Sequence, residues 1–368
     1  MKRLGFLALL LITLTVTSCE KTTDCGCSPV ESYPQTYNFQ NVDHSGQDDR
    51  LDMLSEIMAY VKTSDDGNTI SQATLLNMFS NDGYTWEKTE LNSSTKQIAD
   101  KISSDANENI GIWISQLADI SKNPGTGSNG TAGLVQNAGG TRQYLMDQNG
   151  FHLAEMIEKG VMGALSYYQA TGVYLSSSKM DVDNETVETG KGTAMQHHWD
   201  EAFGYWGVPN EFGSPGFTYD KTAAYHRFWA KYTNEVNEVL GVNSRLMEAF
   251  IKGRTAINNK DYSARDESIA NIRNTWEEVC AAMAIHYLNG AKANISDDAM
   301  RNHQLSEAAG FIYSLQFNPT TRMGRSEIMN DILPVYLNNL YEVSVGDLNT
   351  LRDLIASRYE LEQEKENL

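Results

Sequence analysis

Gly150-Phe151-His152-Leu153-Ala154-Glu155-Met156-Ile157-Glu158-Lys159-Gly160 sets an imidazole and a carboxylate three residues apart within a run of periodic apolar positions. On an α-helix that spacing puts both side chains on one face. Leu153, Met156, Ile157, Val161, Met162 and Leu165 continue the period, which predicts a helix from Thr141 to Tyr174. Gly160 and Gly163 weaken a helix interior and predict close approach of a second helix.

Helical periodicity extends in both directions from this stretch. Upstream, Leu51, Leu54, Ile57, Met58 and Val61 form one apolar stripe, closed by Asp65-Asp66-Gly67-Asn68. Ser71 is placed to cap a shorter helix through Leu75, Leu76 and Phe79. Ile98, Ile102, Ala106, Ile110, Trp113, Leu117 and Ile120 mark a third. Downstream, helices are predicted at about 193–205, through Phe228 and Trp229, through Leu246 and Phe250, at about 265–289 and at about 297–316. Two shorter ones close the chain. Tyr37-Asn38-Phe39-Gln40-Asn41-Val42 reads as a short strand or an extended packing arm. Residues 123–140 collapse to Gly, Asn, Ser and Thr and read as a linker or lid. Gly125-Thr126-Gly127-Ser128-Asn129-Gly130 matches the dinucleotide fingerprint in form, but no strand precedes it to build the phosphate site. The fold class is therefore all-α.

The chain carries an internal repeat. His197-x-x-x-Glu201-Ala202-x-Gly204-Tyr205 aligns without gaps on His303-x-x-x-Glu307-Ala308-x-Gly310-Phe311, and each copy follows a long helix and a polar loop. Duplication of a helical hairpin predicts two helical-bundle subdomains, about 36–210 and 211–368, preceded by an extended N-terminal arm. Packing alone would explain the repeated Ala, Gly and aromatic positions. The repeated ionisable pair asks for a further explanation.

An imidazole and a carboxylate one helical turn apart can share a metal ion. The expected ligands are His152, Glu155, His197, Glu201, His303 and Glu307, converging on one ion, with zinc or iron suited to that donor set. His198 also lies one turn from Glu201; the alignment with His303 selects His197 as the ligand. Asp200 would add an oxygen or orient a ligand, as would His198. With 48 acidic side chains in 368 residues, a single His/Glu pair carries little weight. His152 and Glu155 alone would read as a helix-surface pair worth a few tenths of a kcal/mol. His-Glu-x-x-His and Gly-x-Ser-x-Gly are both absent, so the motifs supply ligands and no catalytic residue.

The N-terminus reads as a leader. Lys2-Arg3 precede the apolar run Leu4–Val16, and Thr17-Ser18-Cys19 has the form of a lipoprotein processing site. Residues 1–18 would be removed, Cys19 lipidated, and residues 19–35 would tether the domain at 36–368 to the outer membrane, facing the periplasm or the exterior. Cys25-Gly26-Cys27 has no second pair to complete a zinc site, and Cys280 lies in an apolar run as a buried thiol. Loss of the leader leaves 27 basic against 48 acidic side chains, a formal charge of −21. That balance excludes a nucleic-acid partner.

Gly150-x-His152-x-x-Glu155 resembles the G-x-H-x-x-E motif of the imelysin-like family, helical envelope proteins associated with iron uptake and sometimes classed as metallopeptidases. Tyr37–Val42, His197–Tyr205 and Ser306–Phe311 are similar to a related group of Bacteroidetes lipoproteins of unknown function. The resemblance covers most of the mature chain. It implies a two-bundle architecture, His152 and Glu155 as a metal or ligand pair, and envelope metal-uptake components as partners. Two alternatives remain open: a surface lipoprotein that binds a non-metal ligand or a protein, and a metallopeptidase-like hydrolase.

Overall fold

An apolar stripe along one helix face has to be covered, and this chain covers its stripes by packing helix on helix. The computed structural model describes residues 33–368. The leader, Cys19, Cys25 and Cys27 lie outside the described residues. Helix accounts for 59% of the described residues and strand for 4%, which places the fold in the all-α class. No helix among the described residues is long and apolar enough to cross a membrane.

The stripe Leu51, Leu54, Ile57, Met58 and Val61 is the buried face of α1 (Ser45–Lys62). A single 3-10 turn, Thr63–Asp66, follows and ends at Gly67 in the left-handed region. α2 (Gln72–Ser80) starts where the Ser71 hydroxyl accepts the Thr74 N–H at 3.2 Å, as its sequence predicts. α3 (Ser104–Ile120) buries Ala106, Ile110, Ile114 and Leu117.

The next segment departs from expectation. Residues 123–152 are neither a linker nor the start of a helix. They form an antiparallel hairpin, β1 (Gly133–Gln136) with β2 (Gln143–Met146), in the register Leu134 opposite Leu145. Its turn is closed by Asn137, whose side-chain oxygen accepts the N–H groups of Thr141 and Arg142, each at 2.9 Å. The apolar face, Val135, Tyr144 and Met146, packs on Ala299 and Met300.

α4 therefore begins only at Leu153 and runs to Val161. It continues through two π-helical turns, 162–167 and 169–174. Gly160 and Gly163 lie against Trp113 and Ser314, the close approach their positions predict. After α5 (Ser177–Met180), α6 (Ala194–Gly204) opens with a reciprocal cap between Thr193 and Gln196. Then come α7 (Phe228–Glu235), α8 (Asn237–Leu240), α9 (Val242–Asn259) and α10 (Tyr262–Ala293). α11 (Asp298–Ser314), α12 (Leu333–Tyr336) and α13 (Val345–Tyr359) complete the order.

α11 packs between α10 and α4, α4 rests on α3, and α6 packs against α9 and the second π-helical turn. Helices from both sides of residue 210 share one continuous buried core. The N-terminal stretch at 37–42 is a packing arm. Tyr37 is fully buried, stacks on Phe203 at 3.8 Å and donates its hydroxyl to Asp200 at 2.6 Å.

The two repeat copies share two local features. Glu201 lies beside Tyr174 of the preceding helix, as Glu307 lies beside Tyr287 of α10. Gly204 and Gly310 each sit where a Cβ would overlap a neighbouring side chain, His44 and Lys159 respectively. The repeated glycine thus marks a helix crossing in both copies.

Candidate metal centre

The motif Gly150-x-His152-x-x-Glu155 is a turn followed by a helix start. The Asp147 carboxylate accepts the N–H groups of Asn149 and Phe151, each at 2.8 Å, which bends the chain after β2. Gly150 has φ +86°, and a Cβ there would overlap the Asn302 amide of α11. Only glycine allows both the left-handed backbone and that approach. The turn delivers His152 to the N-cap of α4, where its N–H donates to the Ser306 hydroxyl of α11 at 2.8 Å. His152 and Glu155 are thus not two residues of one helical face. The ring leaves from an extended residue and the carboxylate from the first turn.

His152 meets His303. Their Nδ1 atoms are 3.0 Å apart, and one oxygen of Glu155 completes a group of three donors all within 4.8 Å of one another. Asp65 accepts from Nε2 of His152 at 3.0 and 3.1 Å through its two oxygens. A carboxylate there holds the proton on Nε2 and leaves Nδ1 with a lone pair facing His303. Asp65 Oδ1 also accepts the Leu145 N–H at 2.8 Å, which ties the hairpin to the same point. Tyr144 of β2 stacks on the His303 ring, centroids 4.3 Å apart and planes within 1°. Burial, with His152 alongside, pushes His303 down to about 3, so its ring is neutral at neutral pH.

Two nitrogens held by one ion at about 2.0–2.1 Å lie between about 2.9 Å apart at a right angle and about 3.3 Å apart at the tetrahedral angle zinc prefers. The observed 3.0 Å fits that spacing as well as it fits a hydrogen bond between the rings. Two imidazoles and a carboxylate suit zinc or non-haem iron and leave positions open for further ligands.

Beneath the histidines lies a buried ionic group. Lys159 is fully enclosed and pairs with Glu155, with Glu158 at 3.0 Å and with Glu307 at 3.2 Å. Lys62, the last residue of α1, adds contacts at 3.3 Å to Glu155 and 2.5 Å to Glu158. Burial alone would raise the Glu155 carboxyl, but Lys159 and Lys62 overcome it and hold it well below the usual carboxylate range. At Glu307, burial and the nearby Glu155 outweigh Lys159, Tyr287 and Lys231, and the carboxyl is pushed up to about 7. Lys159 stays charged: three carboxylates more than compensate its burial.

His152, Glu155, His303 and Glu307 are therefore brought together, the first three as donors and Glu307 through Lys159. His197 and Glu201 are placed elsewhere. Glu201 accepts from His198 at 3.2 Å and from Gln47 at 3.2 Å, with His197 Nε2 at 3.9 Å. His197 and His198 line a surface cleft of about 470 Å³ beside Asp183, Glu188 and Lys191. Among the described residues only His152, Glu155 and His303 form a three-donor group, so the six residues do not converge on one ion. Asp200 orients no ligand of that group: it is fully buried, accepting from Tyr37 and from Arg254 Nε at 2.9 Å, and it anchors the arm.

Sequence reasoning missed Asp65, Tyr144, Lys62, Glu158 and Lys159. Asp65 read as a helix terminator and Tyr144 as a helix residue. Lys159 carried a visible signal, four residues after Glu155, but that spacing is commonplace on solvated helices.

Residues 34–361 match the model of a family described as a domain of unknown function, DUF4856, and the chain belongs to that family. No curated protein and no solved structure matches the chain.

Proposed function

We propose that this member of the DUF4856 family is a metal-binding lipoprotein of the cell envelope that holds one divalent ion with Nδ1 of His152, Nδ1 of His303 and the Glu155 carboxylate. The observation that carries the reading is the facing Nδ1 pair with Glu155 in reach. Asp65 supports it by presenting His152 in the tautomer a metal needs. The donor set favours zinc or iron over calcium or magnesium. The lipoprotein-like leader ending at Cys19 supports membrane anchoring, and the likeness of Gly150-x-His152-x-x-Glu155 to the imelysin-like motif supports a place in iron or metal uptake. As a general base for hydrolysis Glu155 is poorly suited, since two ammonium groups suppress its proton affinity.

A second reading has its own observation. Lys159 already balances Glu155, Glu158 and Glu307, so the cluster could serve only to hold α4 against α11. The experiment that separates the two is metal analysis of the purified chain, followed by titration of the chelator-stripped protein with zinc and ferrous ions. One equivalent bound, and lost in both His152→Ala and His303→Ala, supports the ion site. Absence of binding in the folded parent chain rejects it.

A further inference from the structure

The charged cluster below the histidines contains two ammonium groups with different freedom. Lys159 sits mid-helix on α4 with none of its side chain exposed, so it has nowhere to go. Lys62 ends α1, and 42% of its side chain is exposed, against 4% for Glu155 and 9% for Glu158. A lysine in the last helical turn is also favoured by the helix dipole, which holds it there with or without the glutamates. Three residues on, Asp65 holds His152 and is itself partly exposed. The α1 corner thus carries both the carboxylate that orients one imidazole and the cation that covers the third donor.

Lys62 and a metal ion want the same atoms. The ammonium lies 3.3 Å from Glu155 Oε1 while Lys159 takes the other oxygen, so neither Glu155 oxygen is free of a cation. An ion drawing on Glu155 has to displace one of the two, and only Lys62 can swing into solvent on its four-carbon stem. Its departure also leaves Glu158 with one cation fewer, so the field at the donors becomes more negative as the ion arrives.

We propose that Lys62 is the gate of the cation site: its ammonium covers Glu155 from the end of α1, and a divalent ion enters by replacing it there. The proposal rests on the ion-binding reading of His152, His303 and Glu155. Lys62 sets how tightly and how fast that site loads, and it discriminates against ions too weakly attracted to displace a tethered ammonium.

The test compares zinc binding by the full chain, Lys62→Met and Lys62→Arg, each stripped with chelator and checked for fold by circular dichroism. Affinity is read against a chromophoric competitor and the loading rate by stopped flow. Removal of the charge should tighten zinc binding by about tenfold or more and speed loading; Lys62→Arg, which keeps it, should bind no tighter than the parent. Lys62→Gln replaces the methionine variant if that one does not fold. Equal or weaker binding by the neutral variant, with a parent that binds zinc, overturns the gate and leaves the site standing. Failure of parent and neutral variant alike overturns the ion site and the gate with it. Binding by the neutral variant alone means that zinc does not displace Lys62 in the parent, and overturns both.

Discussion

The Nδ1 atoms of His152 and His303 face each other across 3.0 Å although 150 residues separate them in the chain. Asp65 on the far side of His152 fixes which nitrogen carries the proton. Replacing it by alanine frees the ring and its tautomer while leaving all three donors in place. Asp65→Ala should therefore weaken zinc binding by about 10–100-fold, the usual cost of losing a ligand's orienting partner. Calorimetric titration of the folded variant checks this, and an unchanged affinity would count against Asp65 as the orienting group.

Lys159 answers for the stability of the α4–α11 contact. Lys159→Met removes the ammonium but leaves Glu155, Glu158 and Glu307 buried together. Breaking a buried ion pair from one side costs about 3–5 kcal/mol. Urea unfolding should show a loss of that order, and pairing the change with Glu307→Gln should recover part of it, since the two positions touch.

Glu307 should give stability a pH dependence of its own. Its carboxyl is raised in the fold, so the folded state holds the proton more tightly than the unfolded chain. The resulting stabilisation is full below about 4.5 and is lost as pH rises through about 7. Glu307→Gln should flatten melting temperature against pH across that window relative to the parent. A parallel pair of curves would mean Glu307 does not titrate there.

Gly150 is held at φ +86° beneath Asn302. Gly150→Ala meets both the left-handed backbone and the Asn302 amide, and should destabilise by about 1–3 kcal/mol. It should also weaken metal binding, because the same turn aims His152. Unfolding curves and zinc titration of the one variant measure the two effects separately.

The helices were legible because each has to bury one face, and burial imposes a period that the sequence cannot hide. α1, α2, α3, α10 and α11 all follow from that rule. The hairpin was not legible: four-residue strands show two alternations at most, and Tyr144-Leu145-Met146 also suits the helical pattern that starts at Leu153. The pairing of His152 with His303 was legible through the repeat and the motif together. The placement of His197 and Glu201 was not, and the reason is geometric. Each repeat copy has its own tyrosine and its own close glycine contact, and similar local contacts need not be in the same place. Lys159 escaped because one carboxylate spacing describes both a solvated pair and a buried one; burial depends on what packs above it, and that is α11.

α11 supplies His303, and it lies within the last fifth of the chain. During synthesis, everything before Asp298 emerges without the second imidazole, and the Asp65 and Glu155 segments wait for a partner still to come. On the proposed reading the three donors meet only after α11 has followed α4, so a chain truncated before Asp298 should bind no zinc there.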